Sequence, residues 1–115
     1  MIKRGNVIRV RLDPVKGSEQ AGERPAIVLS PDVINEHSPV IVIAAVTSKK
    51  TEKIYPFEVA IDPPEGGLVK KSKALLIHLR SIDKRRIVGS YGSLSEKTLK
   101  KIDEALKIST GLKKI

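Results

Sequence analysis

Residues 39–47 read PVIVIAAVT and form the longest apolar stretch of the sequence. It is almost uninterruptedly apolar, and most of its side chains are β-branched, which is typical of strands that are buried on both faces. A second run of this kind, PAIVLS, occupies residues 25–30. We therefore expect two buried strands in a small barrel or sandwich.

Segments around these two runs predict further strands. Residues 8–12 alternate Ile, Val and Leu with arginines, and residues 57–61 alternate Phe, Val and Ile with Glu and Ala. This period of two places the apolar groups on one face of a strand. Residues 74–79 and 82–89 add one or two short strands, and DPPEGG at residues 62–67 is a firm turn signal. Polar connections are expected at residues 15–23, 31–38 and 48–53.

Near the end of the chain the pattern becomes helical. Ser93 and Glu96 have the spacing of a capping box, and Gly111 stands where a helix C-cap is needed. One helical face carries Leu99, Ile102, Ala105, Leu106 and Ser109. The pattern as a whole predicts a mainly β fold, with five or more strands in a partly open antiparallel barrel and one C-terminal helix.

The composition is that of one small folded domain. The chain has 115 residues, of which 40% are hydrophobic and 30% are charged, and this is enough apolar material for a core. Because domains commonly hold roughly 100–200 residues, we expect a single domain over residues 1–115. The chain has no cysteine, which excludes disulfide scaffolds, thiolate zinc sites, iron–sulfur clusters and cysteine nucleophiles.

No segment of the sequence predicts export or membrane insertion. Polar residues and a glycine interrupt residues 1–10, so no signal peptide is evident. The longest apolar run, residues 40–46, is far shorter than the ~20 residues that span a bilayer. We expect a cytoplasmic protein that does not bind membranes.

The charge points to a polyanionic partner. The chain has 22 Lys and Arg against 13 Asp and Glu, which gives a formal net charge of +9. Such an excess favours nucleic acid, because each neutralised phosphate releases condensed counterions. A surface that serves only solubility is the alternative.

Seven segments resemble the MazF/PemK-type toxins of toxin–antitoxin pairs. In chain order they are GNVI (5–8), LDP (12–14), GSEQ (17–20), GERPAIVL (22–29), AVTS (45–48), LRSIDKRR (79–86) and IDEAL (102–106). Their order and spacing over nearly the whole chain make the resemblance specific.

This resemblance implies an SH3-like barrel of the CcdB/PemK-like architecture. It also implies a sequence-selective, metal-independent endoribonuclease toxin that needs no cofactor. The partners it implies are single-stranded RNA such as mRNA, an acidic and partly disordered antitoxin, and a second copy of the chain in a homodimer. The rivals are a non-catalytic RNA- or protein-binding module and a gyrase poison of the CcdB type. The latter is disfavoured because that family relies on a C-terminal Trp, and this chain has no Trp.

The resemblance assigns the chemistry first to Arg24 and Thr47. A metal-independent ribonuclease uses the 2′-OH of the RNA as nucleophile and leaves a 2′,3′-cyclic phosphate, or its opened 3′-phosphate, and a 5′-OH. It must remove the 2′-OH proton, stabilise charge at phosphorus and protonate the leaving oxygen. Arg24 suits the second task, because a guanidinium grips two phosphate oxygens and is a poor base. Thr47 ends a rigid strand, which would present its hydroxyl at the edge of the barrel.

The general base is left open by the sequence. Glu19 could serve if the loop at 15–23 folds over the RNA, and the alternative is a solvated carboxylate. His78 is the other candidate, because histidine is the residue type whose ordinary pKa lies near neutrality. It stands where the related toxins commonly have Gln. A structural imidazole is the alternative for His78. His37 would be needed for a two-histidine mechanism, but it lies in a polar connection.

RNA binding is expected to use basic, polar and aromatic side chains. Tyr55 is favoured over Phe57 and Tyr91 as a platform for base stacking, because it follows the basic loop after Thr47. The expected set is Ser18, Gln20, Ser48, Lys49, Lys50, Tyr55, His78, Arg80 and Arg86. The aspartates are scattered over turns and caps, so no metal site is expected.

Overall fold

Six antiparallel strands form one sheet in the order β4-β5-β3-β2-β1-β6. The structure is a computed structural model and describes residues 1–12 and 22–115. The strands are β1 (Asn6–Arg11), β2 (Glu23–Val28), β3 (Val40–Thr47), β4 (Glu58–Ile61), β5 (Ser72–Asp83) and β6 (Ile87–Ser93). The helices are α1 (Asp32–His37) and α2 (Glu96–Ser109), and 3-10 turns lie at Glu65–Gly67 and Lys84–Arg86.

The two apolar runs form neighbouring central strands that are buried on both faces, as predicted. Ala26, Ile27 and Val28 are consecutive in β2, and none is more than 1% exposed. Ile27 belongs to the apolar cluster beneath α2, whereas Ala26 and Val28 belong to a second cluster on the opposite face. β4 and β6 are the two ends of the sheet and do not pair. The predicted mainly β, partly open barrel is therefore confirmed.

The C-terminal helix is confirmed, but its predicted cap is wrong. The N-cap is Ser95, whose Oγ accepts a hydrogen bond from the Thr98 amide at 3.2 Å. Ser93 cannot cap α2 because it is the last residue of β6, where it pairs with Asn6. At the other end Gly111 has a φ of +81°, in the left-handed region expected of a C-cap glycine.

The connection predicted at residues 31–38 contains the short helix α1. Its one buried side chain, Asn35, donates a hydrogen bond to the Ser30 carbonyl at 2.8 Å and accepts one from the Ser30 hydroxyl at 2.6 Å. These bonds fix α1 to the end of β2. Neither α1 nor α2 is long and apolar enough to cross a membrane.

The region predicted as one or two short strands at residues 74–89 is one long strand, the turn at Lys84–Arg86 and β6. β5 pairs with β3 in two registers. Ala44 faces Leu79, but the next residue, Ala45, faces Leu75. Three residues of β5, 76–78, therefore have no partner on β3, and an irregularity of this kind re-aims the side chains that it carries.

A buried ion pair joins β4 to β5. The Lys73 Nζ lies 2.8 Å from the Glu58 carboxylate, and both side chains are at most 7% exposed. Lys73 also donates to the Lys53 carbonyl at 3.0 Å, and Glu58 accepts from the Tyr55 amide at 3.1 Å. Burial alone would raise the pKa of the Glu58 carboxyl, but the hydrogen bonds from Lys73 and Tyr55 hold that pKa below its ordinary value. The pair thus ties the segment after Thr47 to the sheet.

We expect Lys73→Met to destabilise the fold by about 3–5 kcal/mol at pH 7, because it leaves a buried carboxylate without its cation. Since the pKa of Glu58 is lowered in the folded wild type, the stability from the pair is complete above the ordinary carboxyl pKa. It is lost as pH falls through the folded value. The penalty of the variant should therefore shrink in acid, as measured by denaturant unfolding at several pH values.

The matched control is the double variant Glu58→Gln/Lys73→Met, in which no buried charge remains. It should recover most of the stability at pH 7. A double variant as unstable as Lys73→Met would contradict this account of the pair.

Candidate active site

Arg24 and Thr47 lie at one end of the two central strands, where both line the same two cavities. β2 pairs with β3 through Ala26↔Ala45 and Val28↔Ile43, and Arg24 and Thr47 stand two residues beyond Ala26 and Ala45 on their strands, which places them on the same face as that pair. Directly opposed residues of neighbouring strands point to the same face of a sheet. The pairing register therefore brings together the two side chains that the resemblance assigned to catalysis.

Two cavities meet at this pair, and we name them after one residue of each. The tyrosine cavity, of about 490 Å³, is lined by Tyr91, Ser48, Lys49, Lys70 and Ser72, among others. The histidine cavity, of about 360 Å³, is lined by His78, Arg80 and apolar side chains such as Ile43, Leu75 and Leu79. Their shared wall consists of Arg24, Pro25, Val46 and Thr47. A chain molecule that crossed this wall would pass Arg24 and Thr47 with a different cavity on each side.

The hydroxyl of Thr47 is held in place, whereas the guanidinium of Arg24 is available. The Thr47 Oγ1 accepts a hydrogen bond from the Lys49 amide at 3.1 Å, which leaves its proton free to be donated. Arg24 is exposed and has no hydrogen bond or ion pair from its guanidinium within the described part of the chain.

The nearest carboxylate along the strand is already neutralised by other cations. Glu23 lies 2.9 Å from Arg9 and 3.2 Å from Arg11. Arg24 therefore keeps its positive charge for a ligand, and an anion such as a phosphate would suit it.

His78 comes to the site because of the irregularity in β5. It is exposed, lines the histidine cavity with Arg24 and Thr47, and makes no hydrogen bond to the described residues. Its positive charge is one of the smaller causes that lower the pKa of Glu58. This environment does not support the reading of His78 as a structural imidazole.

The second histidine lies elsewhere. His37 is the last residue of α1, 3.7 Å from Glu36, and lines neither cavity. The structure does not bring the two histidines together, so it gives no support to a two-histidine mechanism.

The predicted RNA-binding residues divide into those in the cavities and those outside them. Ser48 and Lys49 line the tyrosine cavity, and His78 and Arg80 line the histidine cavity. Lys50 follows in the turn after β3, with a φ of +53°. Ser18, Glu19 and Gln20 lie outside the described residues.

Tyr55 and Arg86 lie apart from both cavities. The Tyr55 ring stacks on the Phe57 ring with 5.5 Å between the ring centroids. The Lys53 Nζ lies 5.0 Å from the centroid of the Tyr55 ring. Arg86 lines a separate cavity of about 340 Å³ with Arg11 and Asp83. Both residues stay predicted RNA contacts, but outside the region around Arg24.

Tyr91 and Lys70 line the tyrosine cavity but do not belong to the predicted RNA-binding set. The sequence favours Tyr55 over Tyr91 as a platform, and Lys70 carries no signal of its own in the sequence. Tyr91 reaches the site because β6 pairs with β1, next to β2, and Lys70 follows the turn at Glu65–Gly67. Among residues 1–12 and 22–115, no three His, Asp or Glu side chains are grouped closely enough to hold a metal ion.

Comparison with known proteins identifies the family. A family model described as PemK-like, MazF-like toxin of type II toxin–antitoxin system matches residues 3–110. The chain belongs to this toxin family. The resemblance found in the sequence is thereby confirmed.

Solved structures of related toxins share the fold over nearly their whole length. MazF from Deinococcus radiodurans is 31% identical, with a TM-score of 0.75 over 96% of each chain. A MazE–MazF structure from the same organism is 30% identical, with a TM-score of 0.79 over 97% of each chain. An endoribonuclease in complex with its cognate antitoxin, from a mycobacterial species, is 22% identical, with a TM-score of 0.81 over 98% of each chain. The last similarity concerns the fold alone.

Proposed function

We propose that this toxin is an endoribonuclease that cleaves single-stranded RNA, including mRNA, at selected sequences and without a metal ion. The observation that carries the proposal is the Arg24–Thr47 pair on the wall between two cavities. Membership of the family of PemK-like, MazF-like toxins and similarity to MazF from Deinococcus radiodurans support it. The net charge of +9 suits a polyanionic substrate.

The proposed reaction begins with the 2′-OH of the nucleotide on the 5′ side of the cut. Its proton passes to a base, O2′ forms a bond to phosphorus, the P–O5′ bond breaks, and O5′ takes up a proton. The products are a 2′,3′-cyclic phosphate, or the 3′-phosphate after hydrolysis, and a 5′-OH. A guanidinium fixed at the phosphate acts where negative charge develops, which is the most effective place for a fixed charge.

Each side chain of the pair has one proposed task. Arg24 binds two oxygens of the phosphate and stabilises the phosphorane. Thr47 donates its hydroxyl proton towards the phosphate or the leaving oxygen, in the orientation that the Lys49 amide imposes. We propose Glu19 as the general base and His78 as an RNA contact, with His78 as the alternative base.

The proposed partners follow from the family and from the related structures. Deinococcus radiodurans MazF was solved with MazE, and the mycobacterial endoribonuclease with its cognate antitoxin. We propose that an acidic antitoxin inhibits this toxin too, and that residues 1–115 form one toxin domain that works as a homodimer. The cytoplasm, where RNA is the available substrate, is the proposed location.

The proposal predicts cleavage of a long single-stranded RNA in EDTA, with discrete cuts that bear 5′-OH ends. Arg24→Ala should abolish the cuts because the phosphorane loses its counter-charge, and Arg24→Lys should restore little, because an ammonium lacks the planar fork. Thr47→Val removes only the hydroxyl at nearly constant shape and should inactivate, whereas Thr47→Ser should retain activity. The cuts are mapped by end-labelling and primer extension.

Two outcomes would contradict the proposal in different ways. RNA that stays intact while the folded wild type binds it would favour the non-catalytic binding module. Cuts that need Mg²⁺, or that survive Arg24→Ala, would refute the assigned chemistry.

We expect His78→Gln to keep most of kcat, because glutamine retains hydrogen bonding but cannot accept a proton at neutral pH. His78 lines the histidine cavity with Arg24 and Arg80, so the loss of its contact with RNA should appear as a higher KM, measured by steady-state cleavage kinetics. A fall of about 10²–10⁴-fold in kcat would instead assign the general base to His78.

A further inference from the structure

The backbone of Tyr91 is held unusually closely by a glycine turn. Gly67 has a φ of +74°, and a Cβ on it would lie 1.9 Å from the Tyr91 carbonyl oxygen. A Cβ on Gly92 would lie 2.9 Å from the carbonyl carbon of Gly66. The turn at Glu65–Gly67 thus lies directly against β6 at Tyr91 and Gly92, and only glycines permit this approach. The close contacts of Gly67 with the Tyr91 carbonyl and of Gly66 with Gly92 therefore fix the position of the Tyr91 backbone.

The Tyr91 ring, in contrast, has no partner among the residues that the structure describes. It is 39% exposed and lines the tyrosine cavity. Within the described residues it makes no ring contact and its hydroxyl makes no hydrogen bond. Tyr55 is similarly exposed, at 43%, but its ring is already stacked on Phe57. A fixed aromatic residue with a free face is the arrangement that proteins use to stack unpaired bases.

Two cations line the same cavity. Lys49 and Lys70 are exposed, and neither ammonium group has an ion pair within residues 1–12 and 22–115. The cavity volume of about 490 Å³ lies in the range of sites for small ligands. An aromatic face next to unpaired cations matches a nucleotide, which has a flat base and a charged phosphate.

The tyrosine cavity also lies next to the residues that are proposed to cleave the RNA. Arg24 and Thr47 form part of its wall, so a nucleotide inside it would be adjacent to the phosphate held by that pair. The histidine cavity on the other side of the wall is mainly apolar. The nucleotides on the two sides of the cleaved phosphate would thus enter cavities of different chemistry. Selection of a sequence requires such a difference.

We propose that the tyrosine cavity is a nucleotide subsite, in which the base of a nucleotide next to the cleaved phosphate stacks on Tyr91 while Lys49 and Lys70 neutralise the backbone. The proposal rests on the proposed function, because it assumes that RNA crosses the Arg24–Thr47 wall. Tyr91 is then a specificity-determining residue, and the cavity accounts for part of the sequence selectivity.

The test combines a protein variant with a change in the RNA. The RNA is a labelled oligoribonucleotide of the sequence cut by the wild type, with a 2′-deoxy sugar at the cut so that it cannot react. Fluorescence anisotropy gives its Kd for wild type, Tyr91→Ala and Tyr91→Phe. Single abasic substitutions are then introduced along the oligonucleotide.

Tyr91→Ala should weaken binding about 5–150-fold, the range implied by the stacking of one base, and Tyr91→Phe should bind nearly as the wild type does. One abasic position next to the cut should weaken the wild type by a similar factor and leave Tyr91→Ala unaffected. The cleavage pattern of Tyr91→Ala should lose selectivity at that same position. Circular dichroism checks the fold. Val33→Ala serves as the control, since Val33 is exposed on α1, which precedes the start of β3, whereas Thr47 stands at the end of that strand.

Equal binding of the oligonucleotide by Tyr91→Ala and wild type would overturn the subsite. If that variant instead bound a glutamate-rich peptide more weakly, the cavity would belong to a protein partner. Failure of the proposed function gives a different result, namely a wild type that cuts no RNA. In that case a random single-stranded RNA takes the place of the mapped sequence, and the same comparison of variants still decides the subsite.

Discussion

The pairing register of β2 with β3 fixes which side chains enter each of the two apolar cores. Both strands are buried on both faces, so a slip of one residue would exchange Ile27 with its neighbours between two different cores. The same slip would turn Arg24 away from Thr47. The apolar residues that specify the fold therefore also specify the geometry of the candidate site, which needs no further device to bring its two central side chains together.

The surroundings of this pair are built by contacts that are distant along the chain. The unpartnered residues of β5 bring His78 to one side, and the turn at Glu65–Gly67 holds Tyr91 on the other. The buried pair of Lys73 and Glu58 ties down the segment that follows Thr47. These three features hold the backbone in place and leave polar or aromatic side chains exposed towards the cavities. A binding surface is supported by a rigid scaffold in this way.

The sequence predicts the central strands, the open barrel and the C-terminal helix because these depend on local periodicity and on β-branched residues. It misplaces the cap of α2 at Ser93, since pairing with Asn6 extends β6 and moves the cap to Ser95. The pairing of Arg24 with Thr47 could be expected only through family resemblance. The sequence ranks Tyr91 below Tyr55 as a platform, because the place of Tyr91 depends on the order of β6, β1 and β2 and on two left-handed glycines.

We propose that the phosphate to be cleaved lies between Arg24 and Thr47. An experimental structure of the toxin with a single-stranded oligoribonucleotide, made uncleavable by one 2′-deoxy sugar, would test this placement. We expect a phosphate with two oxygens on the Arg24 guanidinium and a hydrogen bond from the Thr47 hydroxyl, with flanking nucleotides in the two cavities. An RNA bound along Arg11 and Arg86, with the Arg24–Thr47 wall unoccupied, would refute the proposed position of the phosphate.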